Sequence, residues 1–521
     1  MLRWMKQGPF RALALTLALV QMAAPLRANP PLPALGDSVS AEVGIGYEKR
    51  LGEQAMRQIR PDPAYLDDPL LLEYVQRSWT PLVEAAKRMG NIGEDTRDQF
   101  AWEVFLVRDK SVNAFAMPGG YVGVHLGLLA VTQTRDELTS VLGHELSHIT
   151  QRHIARGMIG DSRNSLLALA GMLAGVLVAA RAGSVDMANA AIVGSQAAAV
   201  QSSLNFSRDM EREADRMGYQ VMGEAGYNPA GMASMFERME QAYHLMDSGA
   251  YPYLRTHPLT SERIGEARAR ANSQGLQRPT PSAEHALMAA RARVLMDPRV
   301  DAWRPLQGLD AGARSSEFTE QLAARYASAL ASIQLRDFNR AESALRAAQA
   351  LLSPPRLEVA AQRLLGHLQA ELALARGQGE QGLAQLAALK DNSRAALILQ
   401  AQLARVSGAE PQRAAYERLQ THLALTPQDA LGWSELALLA QAQGQVLRAV
   451  RAQAEHRAAL GDLNGAIDRL RSGLRQSRQP GADPIEAAVI DARLRTLVSE
   501  RRALLADLYP NNPPRDVDLP Q

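Results

Sequence analysis

The chain has 521 residues, a formal net charge of +2 and no cysteine. Near-balanced charge supplies no field to gather nucleic acid, and the missing thiols exclude disulfides, iron–sulfur clusters and thiolate-bound metal. A chain of this length carries two to four domains, and any metal in it must be held by His, Asp or Glu.

At the N-terminus Arg3, Lys6 and Arg11 accompany an almost wholly apolar run over residues 12–24, with small residues after it. That is the pattern of an export signal spanning residues 1–28, with Ala24 and Ala28 as alternative cleavage points. The run is short for a membrane span, with an uncleaved anchor as the alternative; either way the bulk of the protein is expected outside the cytoplasm. Residues 29–40 are Pro-rich and expected to be loose. A helical pattern over 42–60 ends at Pro61-Asp62-Pro63, and a second helix is expected over about 70–89. Residues 103–107 and 121–124 read as short strands with 114–117 between them, and Pro118-Gly119-Gly120 reads as a turn.

Residues 128–156 read as helix, interrupted near Thr134. A second apolar stretch over 166–180 is again short for a span; a buried or surface-lying helix is expected, with peripheral membrane contact as the other use. Residues 203–226 read as helix and 252–258 as a loop between helices. Beyond Gln277 the character changes to short amphipathic helices rich in Ala, Leu, Arg and Gln. A period of about 34 residues emerges: Ala415, Leu419, His422 and Pro427 are followed by Trp433, Leu436, Ala437, Ala440 and Ala449. An earlier copy includes Ala329, Ala341, Leu345 and Ala348. Small residues recur where paired helices would touch, which is the tetratricopeptide spacing. Stacked pairs of that kind present a concave surface for proteins.

The segment that carries chemistry is His144-Glu145-Leu146-Ser147-His148. On a helix, positions i and i+4 share a face, so two imidazoles can bind one metal ion with Glu145 beside the metal-bound water. Composition alone predicts such a pentapeptide only about 0.01 times in this chain. A hydrolytic site of this type takes three protein ligands. Downstream, on a separate helix, stands Glu211-Arg212-Glu213-Ala214-Asp215, and by spacing Glu211 and Glu213 are both candidates for the third ligand. For the oxyanion donor Arg263 is the candidate, with a surface role as the alternative. The segment 112–121 precedes the metal helix in the manner of an edge strand, so Asn113, Ala114, Phe115 and Ala116 are candidates for holding an extended substrate. His153 falls five residues after His148 and is expected off the ligand face, as a structural or exposed residue.

The pattern resembles the M48 family of zinc metallopeptidases: His144 to His148, then Glu-x-x-Ala-Asp, together with Asn113-Ala114-Phe115-Ala116, Gly119-Gly120 and Gly226-Tyr227-Asn228-Pro229. The resemblance implies one Zn2+ per chain, Glu145 as catalytic base and Glu211 as the third ligand. It makes Asp215 the aspartate that steadies a ligand histidine. Thr256-His257-Pro258-Leu259 matches a segment whose histidine caps the zinc, so His257 is expected as a fourth, regulatory ligand. The whole chain is most similar in layout to a periplasmic branch of the family with C-terminal repeats. Such proteins degrade misassembled outer-membrane β-barrel proteins and assist their assembly, the repeats engaging the barrel-assembly machinery. The implied fold is mainly α: a zincin-like metallopeptidase domain with a small β-sheet over residues 40–277, a connecting segment over 278–316, and an α-solenoid of tetratricopeptide-like repeats over 317–510. The competing function is a chaperone or scaffold with a latent zinc site. The presence of Glu145 favours the peptidase.

Overall fold

A computed structural model describes residues 43–158, 207–245, 252–312, 317–352 and 358–508. The expected export signal, the Pro-rich stretch after it and the apolar run at 166–180 lie outside those residues.

Helices α1 (Ile45–Ile59) and α2 (Pro69–Arg88) form where the apolar spacing predicts. Asp68 starts α2: its side chain accepts from Leu71 N, and Pro69 takes the first helical position, where no N–H is needed. Strands β1 (Tyr65–Leu66), β2 (Glu103–Val107), β3 (Ala114–Met117) and β4 (Tyr121–His125) make one sheet in the order β1-β2-β4-β3. β2 and β4 run parallel, while β3 is antiparallel to β4 in a hairpin. The hairpin turn needs its glycines. Gly119 and Gly120 both have positive φ (78° and 88°), and a Cβ on Gly120 would stand 2.9 Å from Trp102 N. The arrangement leaves β3 at the sheet edge.

The stretch expected as one interrupted helix is three: α3 (Leu126–Val131), α4 (Arg135–Thr150) and α5 (His153–Met158). The first break is a capping exchange. Thr134 accepts from Glu137 N, and the Glu137 carboxylate reaches back to Gln133 N. The second break is at Arg152, whose φ of 51° turns the chain. Then follow α6 (Arg208–Glu224), α7 (Ala230–Leu245), the single turn α8 (Tyr253–Thr256) inside the expected loop, α9 (Ser261–Ser273) and α10 (Ala283–Leu295).

The remainder is helical. It comprises α11 (Val300–Gln307), α12 (Leu309–Gly312), α13 (Phe318–Gln334), α14 (Phe338–Leu351), α15 (Val359–Ala375) and α16 (Gly379–Ala388). It continues with α17 (Arg394–Arg405), α18 (Ala409–Leu425), α19 (Ala430–Ala442), α20 (Val446–Ala459), α21 (Leu463–Gln476) and α22 (Pro484–Leu508). Neighbours in sequence pack as pairs, α13 on α14 and α19 on α20 among them. Ala415 and Ala449, one period apart, are both buried, and Gly444 and Gly461 end their helices at positive φ. Among the described residues no helix is long and apolar enough to cross a membrane.

One hydrophobic cluster runs from Val43 to Ala395, joining α1, α2, the sheet and α4 to α10, α13, α14 and α15. Polar contacts reinforce that joint. Three arginines reach back to the acidic start of α2, each with two hydrogen bonds to one carboxylate: Arg291 to Asp68, Arg363 to Glu73 and Arg394 to Asp67. The helical arc then returns to α1. Gly461 backs onto Arg57, and Arg50 Nε lies 3.8 Å from Asp507. A cavity of about 700 Å³ opens between the two, lined by Arg57, Tyr121, Asp429, Gly461 and Leu504.

Candidate metal centre

α4 carries His144, Glu145 and His148, all buried. The helical repeat sets the two imidazoles on one face, 4.7 Å apart between ring centroids, with Nε2 atoms 2.9 Å apart. α6 lies against α4 at a glycine pair: a Cβ on Gly218 would come within 3.0 Å of Gly143 C and His144 N. That close approach delivers Glu211, whose Oε2 is 3.5 Å from His144 Nε2 and whose Oε1 is 3.4 Å from His148 Nε2. His257, immediately after α8, completes the group. Its Nδ1 lies 2.9 Å from Glu211 Oε1 and 3.3 Å from His144 Nε2. One ligand atom each from His144, His148, Glu211 and His257 falls within 4.8 Å of the others.

The surroundings dictate what this cluster can hold. Asp215 Oδ1 accepts from His144 Nδ1 at 2.9 Å, which leaves the Nε2 lone pair facing the cluster. Burial opposes charge on Asp215, but Arg263 and His144 override it and hold the carboxyl at about 2. Burial likewise opposes charge on Glu211, yet His257 and His144 keep it well below the usual carboxylate range. Burial works to discharge His144, but Glu211 and Asp215 lift it to about 10. His148 moves the other way, driven well down by burial and further by His144. The pocket therefore demands positive charge at a point where two ring nitrogens and a carboxylate converge. That donor set, with no thiolate, fits a divalent cation of the zinc type.

Glu145 stands beside the cluster. Its Oε2 accepts from Ala116 N at 2.9 Å, while Oε1 has no hydrogen-bond partner. Burial pushes its pKa up, which makes the carboxylate a better proton acceptor. The same bond ties the site to the edge strand. Asn113 O accepts from His125 N on β4 and Phe115 pairs with Gly123, so the backbone groups of Ala114 and Ala116 turn away from the sheet. Of these residues, Ala116 contacts the site directly through its N–H.

Arg263 sits differently from its sequence reading, whereas His153 stands off the cluster as expected and Glu213 stands outside it. Arg263 is buried and committed: it donates to both oxygens of Asp215 at 2.7 and 2.8 Å and to Pro258 O at 2.9 Å, and it lies 2.8 Å from Glu211 Oε2. It braces Asp215 and Glu211, which leaves the expected oxyanion or surface role without support in its contacts. Glu213, the alternative third ligand, instead accepts from Arg156 and contacts His153 Nε2 at 3.1 Å. His153 is fully buried, with its Nδ1 2.9 Å from His148 Nδ1; burial holds its pKa down to about 4. Tyr253, not singled out by sequence, stacks on His257 with centroids 4.5 Å apart. Only the mid-helix glycines at 143 and 218 hinted at the helix contact.

The sequence profile of peptidase family M48 matches residues 74–271. The β-barrel assembly-enhancing protease of Yersinia pestis is 31% identical over 498 residues, 94% of each chain. That of Escherichia coli is 30% identical over 479 residues, 89% of this chain and 90% of its own. A putative β-barrel assembly-enhancing protease of Vibrio cholerae is 33% identical over 337 residues, 63% of this chain and 67% of its own.

Proposed function

Because the chain belongs to peptidase family M48, we propose that it is a periplasmic zinc endopeptidase acting on misassembled outer-membrane β-barrel proteins. The observation that carries this reading is the convergence of His144, His148, Glu211 and His257 beside Glu145.

His144, His148 and Glu211 hold one zinc ion per chain, with His257 as a fourth, regulatory ligand. Bound there, zinc would lower the pKa of a water toward ~7 and polarise the scissile carbonyl. Glu145 takes the proton of the attacking water at Oε1, which accepts no hydrogen bond, and passes it to the leaving amine. Ala116 N fixes the other oxygen, so the base is aimed before substrate arrives. An extended client lies along β3 and pairs with the outward backbone groups of Ala114 and with the Ala116 carbonyl, the Ala116 N–H being held by Glu145. Asp215 and Arg263 keep His144 and Glu211 oriented. With His257 in the cluster the resting enzyme is latent, which suits a peptidase living among unfolded envelope proteins.

Client and place are supported by the relatives' names, by the export signal expected at residues 1–28 and by the helical C-terminal region. Its stacked helices offer a surface for clients and for the barrel-assembly machinery, and assistance to assembly is the non-proteolytic side of the same role. Retention of a buried, aimed Glu145 favours proteolysis over scaffolding alone.

The test is metal analysis of the purified mature chain together with cleavage of an unfolded barrel protein, beside Glu145→Gln. Glu145→Gln should keep stoichiometric zinc and lose on the order of 10²–10⁴-fold in cleavage rate. Wild-type cleavage by clean Glu145→Gln protein overturns the mechanism.

A further inference from the structure

His148 makes a polar contact on the side away from the cluster that the mechanism does not use. Its Nδ1 meets His153 Nδ1 at 2.9 Å. His153 Nε2 meets Glu213 Oε2 at 3.1 Å, and the same carboxylate oxygen accepts from Arg156 Nη1 at 2.9 Å. His153 is on the next helix, α5, and reaches this position through the turn at Arg152. Glu48 and the Val43 carbonyl pin the Arg152 side chain, so the turn itself is anchored.

We infer that His153 is a positioning residue for the metal ligand His148, fixing its tautomer through a chain anchored by Glu213 and Arg156. The direction of every bond follows from the far end. Glu213 is a carboxylate already accepting from an arginine, so it can only accept from His153, and His153 Nε2 carries the proton. A neutral imidazole has one N–H, so His153 Nδ1 is left as an acceptor. His148 Nδ1 must then be the donor, which leaves the lone pair of His148 Nε2 facing Glu211 and His144. His144 is set in the same tautomer by Asp215 and Arg263. The two ligand histidines are therefore braced alike, one by a carboxylate directly and one by a carboxylate acting through a second imidazole. The inference also gives Glu213 a task other than metal ligation.

This rests on the metal-site reading above, so the experiment separates the two. Zinc affinity is measured on the full mature chain by chelator competition, for wild type, His148→Ala, His153→Phe, His153→Gln and Glu213→Gln. Nitrogen-15 histidine shifts of the metal-free protein report the tautomer at His148. The expected result is loss of zinc binding in His148→Ala and a 10–100-fold weaker affinity in His153→Phe. Recovery is expected in His153→Gln, whose amide oxygen can accept from His148. Glu213→Gln, the mildest change, should weaken affinity several-fold and keep the fold. Wild type should show an Nδ1–H tautomer at His148, depleted in His153→Phe. If His148→Ala binds zinc normally, the metal-site reading falls and this inference with it. If His148→Ala loses zinc while His153→Phe and Glu213→Gln bind as wild type, or if wild-type His148 carries its proton on Nε2, the positioning role alone is overturned.

Discussion

His257 and Arg263 show how much of the site's behaviour rests in single buried side chains. His257 contacts Glu211 at 2.9 Å and Glu145 at 3.5 Å, and Tyr253 stacks on its ring. It follows a one-turn helix rather than sitting within a long one, as the proposed gate requires. Replacing it with Ala should raise basal proteolysis. A fall in kcat would instead assign it to transition-state stabilisation, so the sign of the change decides between gate and catalyst. Arg263 is a different case. It neutralises two buried carboxylates, and its removal strands both. Arg263→Ala should cost about 3–5 kcal/mol of stability and weaken zinc binding; a melting temperature equal to wild type would contradict the bracing role.

At the level of elements, the centre exists because three helices meet. α4 supplies two of the proposed ligands by periodicity alone, but Glu211 arrives only because α6 sits close enough. The Gly143 and Gly218 contact sets that distance, with backbone rather than flexible side chain as the opposing surface. Gly218→Ala should therefore push α6 outward. The expected cost is about 1–3 kcal/mol from overpacking, accompanied by weaker zinc binding, because Glu211 rides on the displaced helix. Thermal unfolding and chelator competition check the two effects; unchanged zinc affinity would show that α6 position does not control the third ligand. The helix breaks tell a similar story. Thr134 and Glu137 form a cap that sequence alone marks as an interruption. The turn at Arg152 carries no comparable sign, since a non-glycine residue at positive φ is adopted only where surrounding contacts, here Glu48 and Val43, hold it.

For the whole molecule, the hydrophobic core passes from the peptidase part into α13, α14 and α15 without a gap. Leu322, Tyr326 and Leu330 are buried in the same cluster as Trp79 and Leu142. Tyr326 hydroxyl also contacts Arg291, which holds Asp68 at the head of α2. Two truncations therefore separate the roles of the helical region. Removing residues 446–521 takes away the last hydrophobic cluster and leaves the main one whole; zinc binding and cleavage of a small peptide should survive, while processing of barrel clients in cells should fall. Removing residues 321–521 opens the main core and should yield poorly soluble protein with a lower melting temperature. Normal client turnover by the shorter deletion would remove the recruiting role.

The primary sequence by itself determined the local chemistry. A five-residue motif on a helix places two imidazoles and a carboxylate because helical periodicity leaves no choice, and proline and glycine spell out where α1, α2 and the β3–β4 hairpin begin and end. Those features depend on neighbours within a few residues. The partners of the motif were beyond that reach. Between Glu211 and Glu213 spacing gave no preference and family resemblance was needed; in space the two point to different sides of α6, one into the cluster and one to His153. Arg263 read as exposed or as an oxyanion donor, because its buried carboxylates lie 48 and 52 positions away. The joining of the peptidase core to the helical region was likewise hidden, since it depends on apolar surfaces and arginine–carboxylate pairs up to 327 positions apart. Periodicity identifies which face of a helix is apolar, and only the folded chain decides which other face it meets.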